Sequence, residues 1–125
     1  MEQCLYAIMV ASANDIALQV AEHISGSVDA FVAAMNARAQ ELGCTNTVFT
    51  NPTGLPDENQ HITAHDMALI MEAAMANDTF RTIAATTSYT IPATNVSGGD
   101  RVLTNNFTMI NNTSDGYYEA CIGGK

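Results

Sequence analysis

The order in which helical and strand patterns follow one another most constrains the fold of this chain. Apolar residues recur at helical spacing in five stretches between residues 5 and 84. Strand-like runs of β-branched and aromatic residues come only afterwards, at 87–91, 101–105 and 117–122. Ser97-Gly98-Gly99-Asp100 has the composition of a hairpin turn between the first two runs. We therefore predict an α+β fold with a helical majority and a small antiparallel β portion near the C-terminus.

The corner between the first two helical stretches carries two polar residues with competing interpretations. The first stretch, Leu5–Val10, is followed by Ser12-Ala13-Asn14, and the second begins at Asp15. Serine and asparagine are common helix N-caps, so Ser12 or Asn14 could simply cap the second helix. Alternatively, because the two residues are two positions apart on a tight turn, both side chains could point into one cleft. There the hydroxyl could relay a proton and the amide could bind a carbonyl group.

The later helical stretches predict a capping motif and an apolar face. Thr63 and Asp66 have the spacing of a capping box, in which each side chain bonds to the backbone N–H of the other residue. Residues 44–62 predict a long ordered loop with one short strand at Thr47–Phe49. The fourth helix has an apolar face that we expect to fill the core, formed by Met67, Ile70, Met71 and Ala74.

The charge balance argues against two classes of partner. Thirteen acidic and four basic residues give a net charge of −9 at pH 7. Nucleic-acid binding requires a basic patch, and adsorption to anionic lipid requires clustered Lys and Arg, so we expect neither. No run of about 18 apolar residues is present, and Met1-Glu2 does not begin a signal peptide. We therefore expect no targeting segment in this chain.

The cysteines and histidines predict neither disulfides nor a metal site. Cys4, Cys44 and Cys121 are odd in number and widely spaced, so we expect free, buried thiols that behave as small apolar residues, with Cys121 in a strand. His61 and His65 are four residues apart, which would suit two ligands on one helix face. Residue 62, however, is Ile, whereas the metalloprotease motif has Glu after its first His.

Ser12-Ala13-Asn14 and the final Lys125 belong to an ordered series of short motifs. Phe49–Leu55, Thr63–Ala68 and Tyr89–Ile91 stand between them. This series resembles the D-alanyl-D-alanine carboxypeptidases, the low-molecular-mass penicillin-binding proteins. Penicillin-binding proteins carry S-x-x-K, S-x-N and K-T-G in that order. Ser12-Ala13-Asn14 matches the second motif, and Lys125 matches the first residue of the third.

The nucleophile motif of that family is missing from the chain. Lys125 is the only lysine, and residue 122 is Ile, so no S-x-x-K is present. The resemblance therefore identifies residues 1–125 as an internal fragment of a catalytic domain, from the S-x-N corner to the Lys of K-T-G. Its fold is expected to be part of a DD-peptidase/β-lactamase-like fold.

The resemblance also implies roles for individual residues. Ser12, Asn14 and Lys125 are the implied catalytic and substrate-binding residues. Ser12 would pass a proton to the leaving amine, and Asn14 would position the substrate and a lysine. Lys125 would assist the relay and attract the carboxylate of the substrate. Gly123 and Gly124 would let the substrate backbone lie close to a strand edge.

The implied parent protein is a serine peptidase that trims the terminal D-alanine from peptidoglycan pentapeptide stems through an acyl-enzyme. β-Lactam antibiotics would be covalent inhibitors, and no metal or organic cofactor would be needed. The parent would act outside the cytoplasmic membrane, either membrane-associated or secreted. The isolated chain, without a nucleophile, would be inactive.

Two alternative functions are compatible with the sequence, and the predicted strands also indicate how the fragment would behave in solution. A β-lactamase-related enzyme would share all three motifs and would differ by rapid deacylation. A non-catalytic wall-binding module of the same fold would lack S-x-x-K altogether. Unpaired strand edges also predict that the fragment self-associates at high concentration.

Overall fold

The computed structural model of the protein describes residues 1–125 and confirms the α+β class. Its elements are α1 (Glu2–Ala11), α2 (Asn14–Ser25), α3 (Val28–Glu41), α4 (Ala64–Met75), α5 (Asp78–Ala84), β1 (Ser88–Ile91), β2 (Arg101–Thr104) and a 3₁₀ turn (Thr108–Ile110). None of these helices is both long enough and apolar enough to cross a membrane. The chain divides into two compact units, which we call the sheet unit (residues 1–13 and 78–125) and the three-helix unit (residues 14–77).

In the sheet unit, α1 packs against α5 and against both strands. Tyr6 of α1 stacks on Tyr89 of β1, with ring centroids 3.8 Å apart and an interplanar angle of 4°. The stacked rings bury aromatic surface between α1 and β1. The buried apolar residues of this unit come from three elements and are Ala7, Val10, Ile83, Ala84 and Ile91.

The two strands form the predicted antiparallel hairpin. Ser88 pairs with Thr104 and Ile91 pairs with Arg101. Side chains alternate between the faces of a strand, so Tyr89 and Ile91 share the half-buried face that α1 covers, while Val102 on β2 is 66% exposed. Asp100 closes the connection, because its Oδ1 accepts a hydrogen bond of 2.8 Å from the Ala93 N–H.

The predicted third strand at 117–122 is wrong. The Tyr118 N–H donates to Met109 O and the Cys121 N–H to Tyr118 O, both in turn-type bonds rather than a ladder. A strand needs a neighbour to satisfy its backbone groups, and the sheet contains only β1 and β2. β-Forming composition at 117–122 therefore does not produce a strand here, and Cys121 lies in irregular structure.

In the three-helix unit, α2 packs on α3 through small side chains. Ala17 and Ala21 of α2 and Ala39 of α3 are buried, and small buried side chains of this kind allow two helices to lie close together. Ser27 caps α3, since its Oγ accepts from the Ala30 N–H at 3.1 Å. Gly43 follows the end of α3 with a φ of +87°, a left-handed conformation that glycine adopts at little cost.

Helix α4 differs from the sequence prediction in two respects. Thr63 caps it as predicted, because its Oγ1 accepts from the Asp66 N–H at 3.1 Å. The reciprocal half of the capping box is not formed, since the Asp66 carboxylate bonds to Asn46 and Thr47 instead. Asp66 is thereby buried, and Met67 and Met71 are 44% and 46% exposed rather than in the core.

The loop after α3 contains a single β-bridge rather than the predicted short strand at 47–49. The Val48 N–H donates to His61 O at 2.8 Å, and the His61 N–H returns a bond of 3.0 Å to Val48 O. Asn36 of α3 holds the neighbouring residue, because its side chain bonds to both backbone groups of Phe49. The β-bridge and the Asn36 side chain thus hold the loop at residues 48, 49 and 61.

Candidate functional site

The backbone at the S-x-N corner is strained at Ser12. Helix α1 ends there, with Ser12 at φ 55° and ψ 42° in the left-handed region. It is the only residue other than glycine with positive φ. The Ser12 and Ala13 N–H groups both point to Ala7 O, which holds the turn. An L-residue in this region costs about 1–2 kcal/mol, and such strained residues cluster at functional sites.

The side chains of the corner are not used as helix caps, so the capping prediction is wrong. Helix α2 begins at Asn14 itself. The side-chain oxygens of Ser12 and Asn14 accept no backbone N–H, in contrast to Ser27 at the start of α3. Ser12 is exposed and Asn14 is half-buried. The hydroxyl and the amide are therefore both free to bind another molecule.

The segment that leads to Lys125 is fixed in the sheet unit by its two glycines. The Gly124 N–H donates to Ala84 O at the end of α5, over 3.0 Å. A Cβ on Gly123 would lie 3.1 Å from the Ala84 backbone, and a Cβ on Gly124 would overlap the ring of Phe107. In this structure the close approaches of these glycines are to the protein itself. Lys125 is exposed and forms no ion pair.

Asn105 is a buried residue that sequence analysis missed. It follows β2 and is 7% exposed. Its Nδ2 donates to Thr86 O and to Gly124 O, each over 3.1 Å, and its Oδ1 accepts from the Phe107 N–H over 2.9 Å. Its partners at 86 and 124 are both 19 residues away, so no local sequence pattern marks it.

Asp66 is the buried charge of the three-helix unit and was likewise missed as such. Its carboxylate is 1% exposed and accepts 2.8 Å bonds from the Asn46 N–H and the Thr47 Oγ1. These donors, the Asn46 N–H first, hold the pKa of Asp66 below its usual value. The carboxylate is therefore ionised at neutral pH and ties the loop at 46–47 to α4.

The three cysteines are free, but the predicted burial is confirmed only for Cys44, because Cys4 and Cys121 are half-buried. Cys44 is buried, and burial first and the charge of Asp66 second raise the pKa of its thiol. The protonated thiol donates to Asp66 O at 3.5 Å. His61 lies before α4, with its Nδ1 3.2 Å from Asn59 O. No group of three or more His, Cys, Asp or Glu side chains converges in a way that could hold a metal ion.

The chain belongs to the D-alanyl-D-alanine carboxypeptidase family, whose sequence profile matches residues 1–118. Ser12 and Asn14 lie inside the matched range and Lys125 lies beyond it. The resemblance drawn from the short motifs is therefore confirmed for the family.

Individual relatives agree with this assignment. D-alanyl-D-alanine carboxypeptidase DacB2 of Mycobacterium tuberculosis is 38% identical over 125 residues, which cover 98% of this chain and 40% of that protein. DacF of Bacillus subtilis is 48% identical over 69 residues, which cover 55% of this chain and 18% of that protein.

Solved structures show the same fold. A mutant of the Streptomyces K15 DD-transpeptidase superimposes with a TM-score of 0.87 at 28% identity, over 99% of this chain and 49% of that one. A D-alanyl-D-alanine carboxypeptidase from M. tuberculosis gives a TM-score of 0.82 at 37% identity, over 98% of this chain and 44% of that one. The chain thus spans less than half the length of these relatives.

Proposed function

We propose that this chain is the S-x-N portion of a serine D-Ala-D-Ala carboxypeptidase that trims the terminal D-alanine from peptidoglycan stem peptides. The proposal is supported by the backbone conformation and the side-chain bonding of the S-x-N corner, which lies in the part of the chain that matches the family. Ser12 is held in a strained left-handed conformation, and neither it nor Asn14 uses its side chain as a cap. A strained residue with an uncommitted hydroxyl is suited to a chemical role rather than a structural one.

In the proposed mechanism, the nucleophile is a serine of an S-x-x-K motif, which is not among residues 1–125. Its hydroxyl attacks the carbonyl carbon between the two D-alanines, and the lysine of that motif accepts the proton. The amide bond then breaks as the Ser12 hydroxyl delivers its proton to the departing D-alanine nitrogen and takes up the proton held by that lysine. Water hydrolyses the resulting ester and regenerates the serine.

Asn14 and Lys125 have supporting roles in the same proposal. The Asn14 amide donates to a carbonyl of the bound peptide through its nitrogen and accepts from a lysine ammonium through its oxygen. Lys125 is a cation that attracts the terminal carboxylate of the substrate and favours proton transfer through Ser12. β-Lactams would acylate the same nucleophile. Because peptidoglycan is the substrate, the enzyme would act outside the cytoplasmic membrane. Without a nucleophile, the 125-residue chain alone would be inactive.

The proposal is tested by separating turnover from stability in the complete protein. A proton relay is worth about 100- to 10,000-fold in rate, whereas a lost helix cap costs about 1 kcal/mol of stability. We expect Ser12→Ala and Asn14→Ala to lose turnover of a D-Ala-D-Ala peptide with little change in melting temperature. Ser27→Ala is the matched control, because it removes a real cap and should lower the melting temperature while leaving turnover intact.

Near-normal turnover in Ser12→Ala would refute the proposed role of the corner. Rapid hydrolysis of β-lactams by the wild-type protein would instead identify a β-lactamase-related enzyme.

A further inference from the structure

Asn105 uses its whole side-chain amide to join three segments of the sheet unit. Both Nδ2 hydrogens are donated, to Thr86 O and Gly124 O, and Oδ1 accepts from the Phe107 N–H. The Asn105 backbone N–H adds a 2.9 Å bond to Thr87 O. A buried amide with all these bonds made has one orientation, so it can define the position of its partners.

The bond to Gly124 bears directly on Lys125. The carbonyl of Gly124 belongs to the same planar peptide unit as the nitrogen and Cα of Lys125. Fixing that oxygen at 3.1 Å from Asn105 Nδ2 therefore fixes the plane from which the Lys125 side chain starts. The preceding peptide unit is fixed separately, because the Gly124 N–H bonds to Ala84 O at 3.0 Å.

Asn105 also sets the surface on which Gly124 rests. The ring of Phe107 fills the space that a Cβ on Gly124 would occupy. The backbone of Phe107 is held by Asn105 Oδ1 at 2.9 Å. One side chain thus controls both the hydrogen bond and the apolar contact that locate the residue before Lys125.

We propose that Asn105 is a positioning residue that holds the Gly124–Lys125 peptide so that the Lys125 ammonium is presented in a single direction. The inference rests on the proposed function of Lys125 as the cation of the site. The lysine side chain itself is flexible and exposed, so its aim depends on the backbone that carries it.

The three-helix unit offers a matched control for a purely structural role. Asn36 makes the same set of bonds, with Nδ2 donating to Val32 O and Phe49 O and Oδ1 accepting from the Phe49 N–H. It is also partly buried. Replacing it removes an equivalent clamp, but one that holds no residue of the proposed site.

The experiment compares Asn105→Ala, Asn36→Ala, Lys125→Ala and the double variant of 105 and 125 in the complete protein. The rate of acylation by a fluorescent penicillin and the melting temperature are measured for each. We expect both asparagine variants to melt lower. Only Asn105→Ala should also acylate more slowly, by up to about 100-fold, as for a misplaced catalytic group. In the double variant, loss of Asn105 should add no further slowing to that of Lys125→Ala.

The outcomes distinguish the proposed role of Lys125 from the positioning role of Asn105. Near-normal acylation in Lys125→Ala would overturn the proposed role of Lys125, and this inference with it. Collapse in Lys125→Ala, with Asn105→Ala as active as Asn36→Ala, would overturn the inference alone. If Asn105→Ala does not fold, Asn105→Ser supplies the same comparison. Amide exchange at Gly124 gives a readout independent of activity, and it should quicken in the Asn105 variants but not in Asn36→Ala.

Discussion

The left-handed conformation of Ser12 makes it possible to separate backbone strain from chemistry at one residue. Ser12→Ala removes the hydroxyl and keeps the Cβ that causes the strain at φ 55°. Ser12→Gly removes both. Removing the Cβ relieves a strain of about 1–2 kcal/mol in this region. The greater entropy of glycine in the unfolded chain offsets about 0.5–1 kcal/mol of that stabilisation.

Ser12→Gly should therefore be more stable than Ser12→Ala by roughly 0.5–1 kcal/mol. For a domain of about 150–250 residues the difference corresponds to about 1–4 °C in melting temperature. Both variants lack the hydroxyl, so turnover should fall about 100- to 10,000-fold in each. Differential scanning calorimetry and a D-Ala-D-Ala hydrolysis assay on the complete protein give the two readouts.

Gly26 provides the converse control. It has a φ of +80°, and nothing lies within 4 Å of a Cβ built on it. Gly26→Ala should lose stability by strain alone and keep full turnover. A Ser12→Gly variant that melts below Ser12→Ala would refute the strain argument, and one that retains normal turnover would refute the role of the hydroxyl.

Three further outcomes follow from other parts of the structure. Gly124→Ala should destabilise by about 1–3 kcal/mol through overlap with Phe107, whereas Gly98→Ala, with open space around it, should not; equal melting temperatures would contradict the close packing. The pKa of Asp66 is lower in the folded state than in the unfolded chain, so its carboxylate stabilises the fold fully above the unfolded pKa. This contribution is lost as pH falls through the folded pKa. Asp66→Asn should thus be less stable near neutral pH and less sensitive to acid, and urea midpoints that keep the wild-type acid dependence would contradict this. Finally, fluorescent penicillin should not label the purified 125-residue chain, and a covalent adduct mapped to Ser12 by mass spectrometry would overturn that expectation.

Local signals predicted the helices, the hairpin and the family, because each of these is written in neighbouring residues. The predicted Thr63 cap, for example, acts over three residues and is formed. The motif order located Ser12 and Asn14, but not the conformation of Ser12, since serine carries no signal for positive φ.

The features that sequence analysis missed depend on distant partners. Asp66 has the spacing of a capping residue, yet its partners at Asn46 and Thr47 lie 20 and 19 residues away. Asp66 therefore lies on the buried side of α4, while Met67 and Met71 are exposed. The false strand at 117–122 has the same origin, because composition does not reveal whether a strand has a neighbour to pair with.

The contact between Cys44 and Asp66 gives the three-helix unit an internal reporter of its own opening. The thiolate is the form that attacks thiol reagents, whereas Cys44 is buried and its thiol is kept protonated by that burial and by the nearby negative charge of Asp66. Cys4 and Cys121 are only half-buried, so they should be modified first. The slow modification of Cys44 would then report the rate at which the loop at 46–47 detaches from α4. No label would have to be introduced into the protein for this measurement.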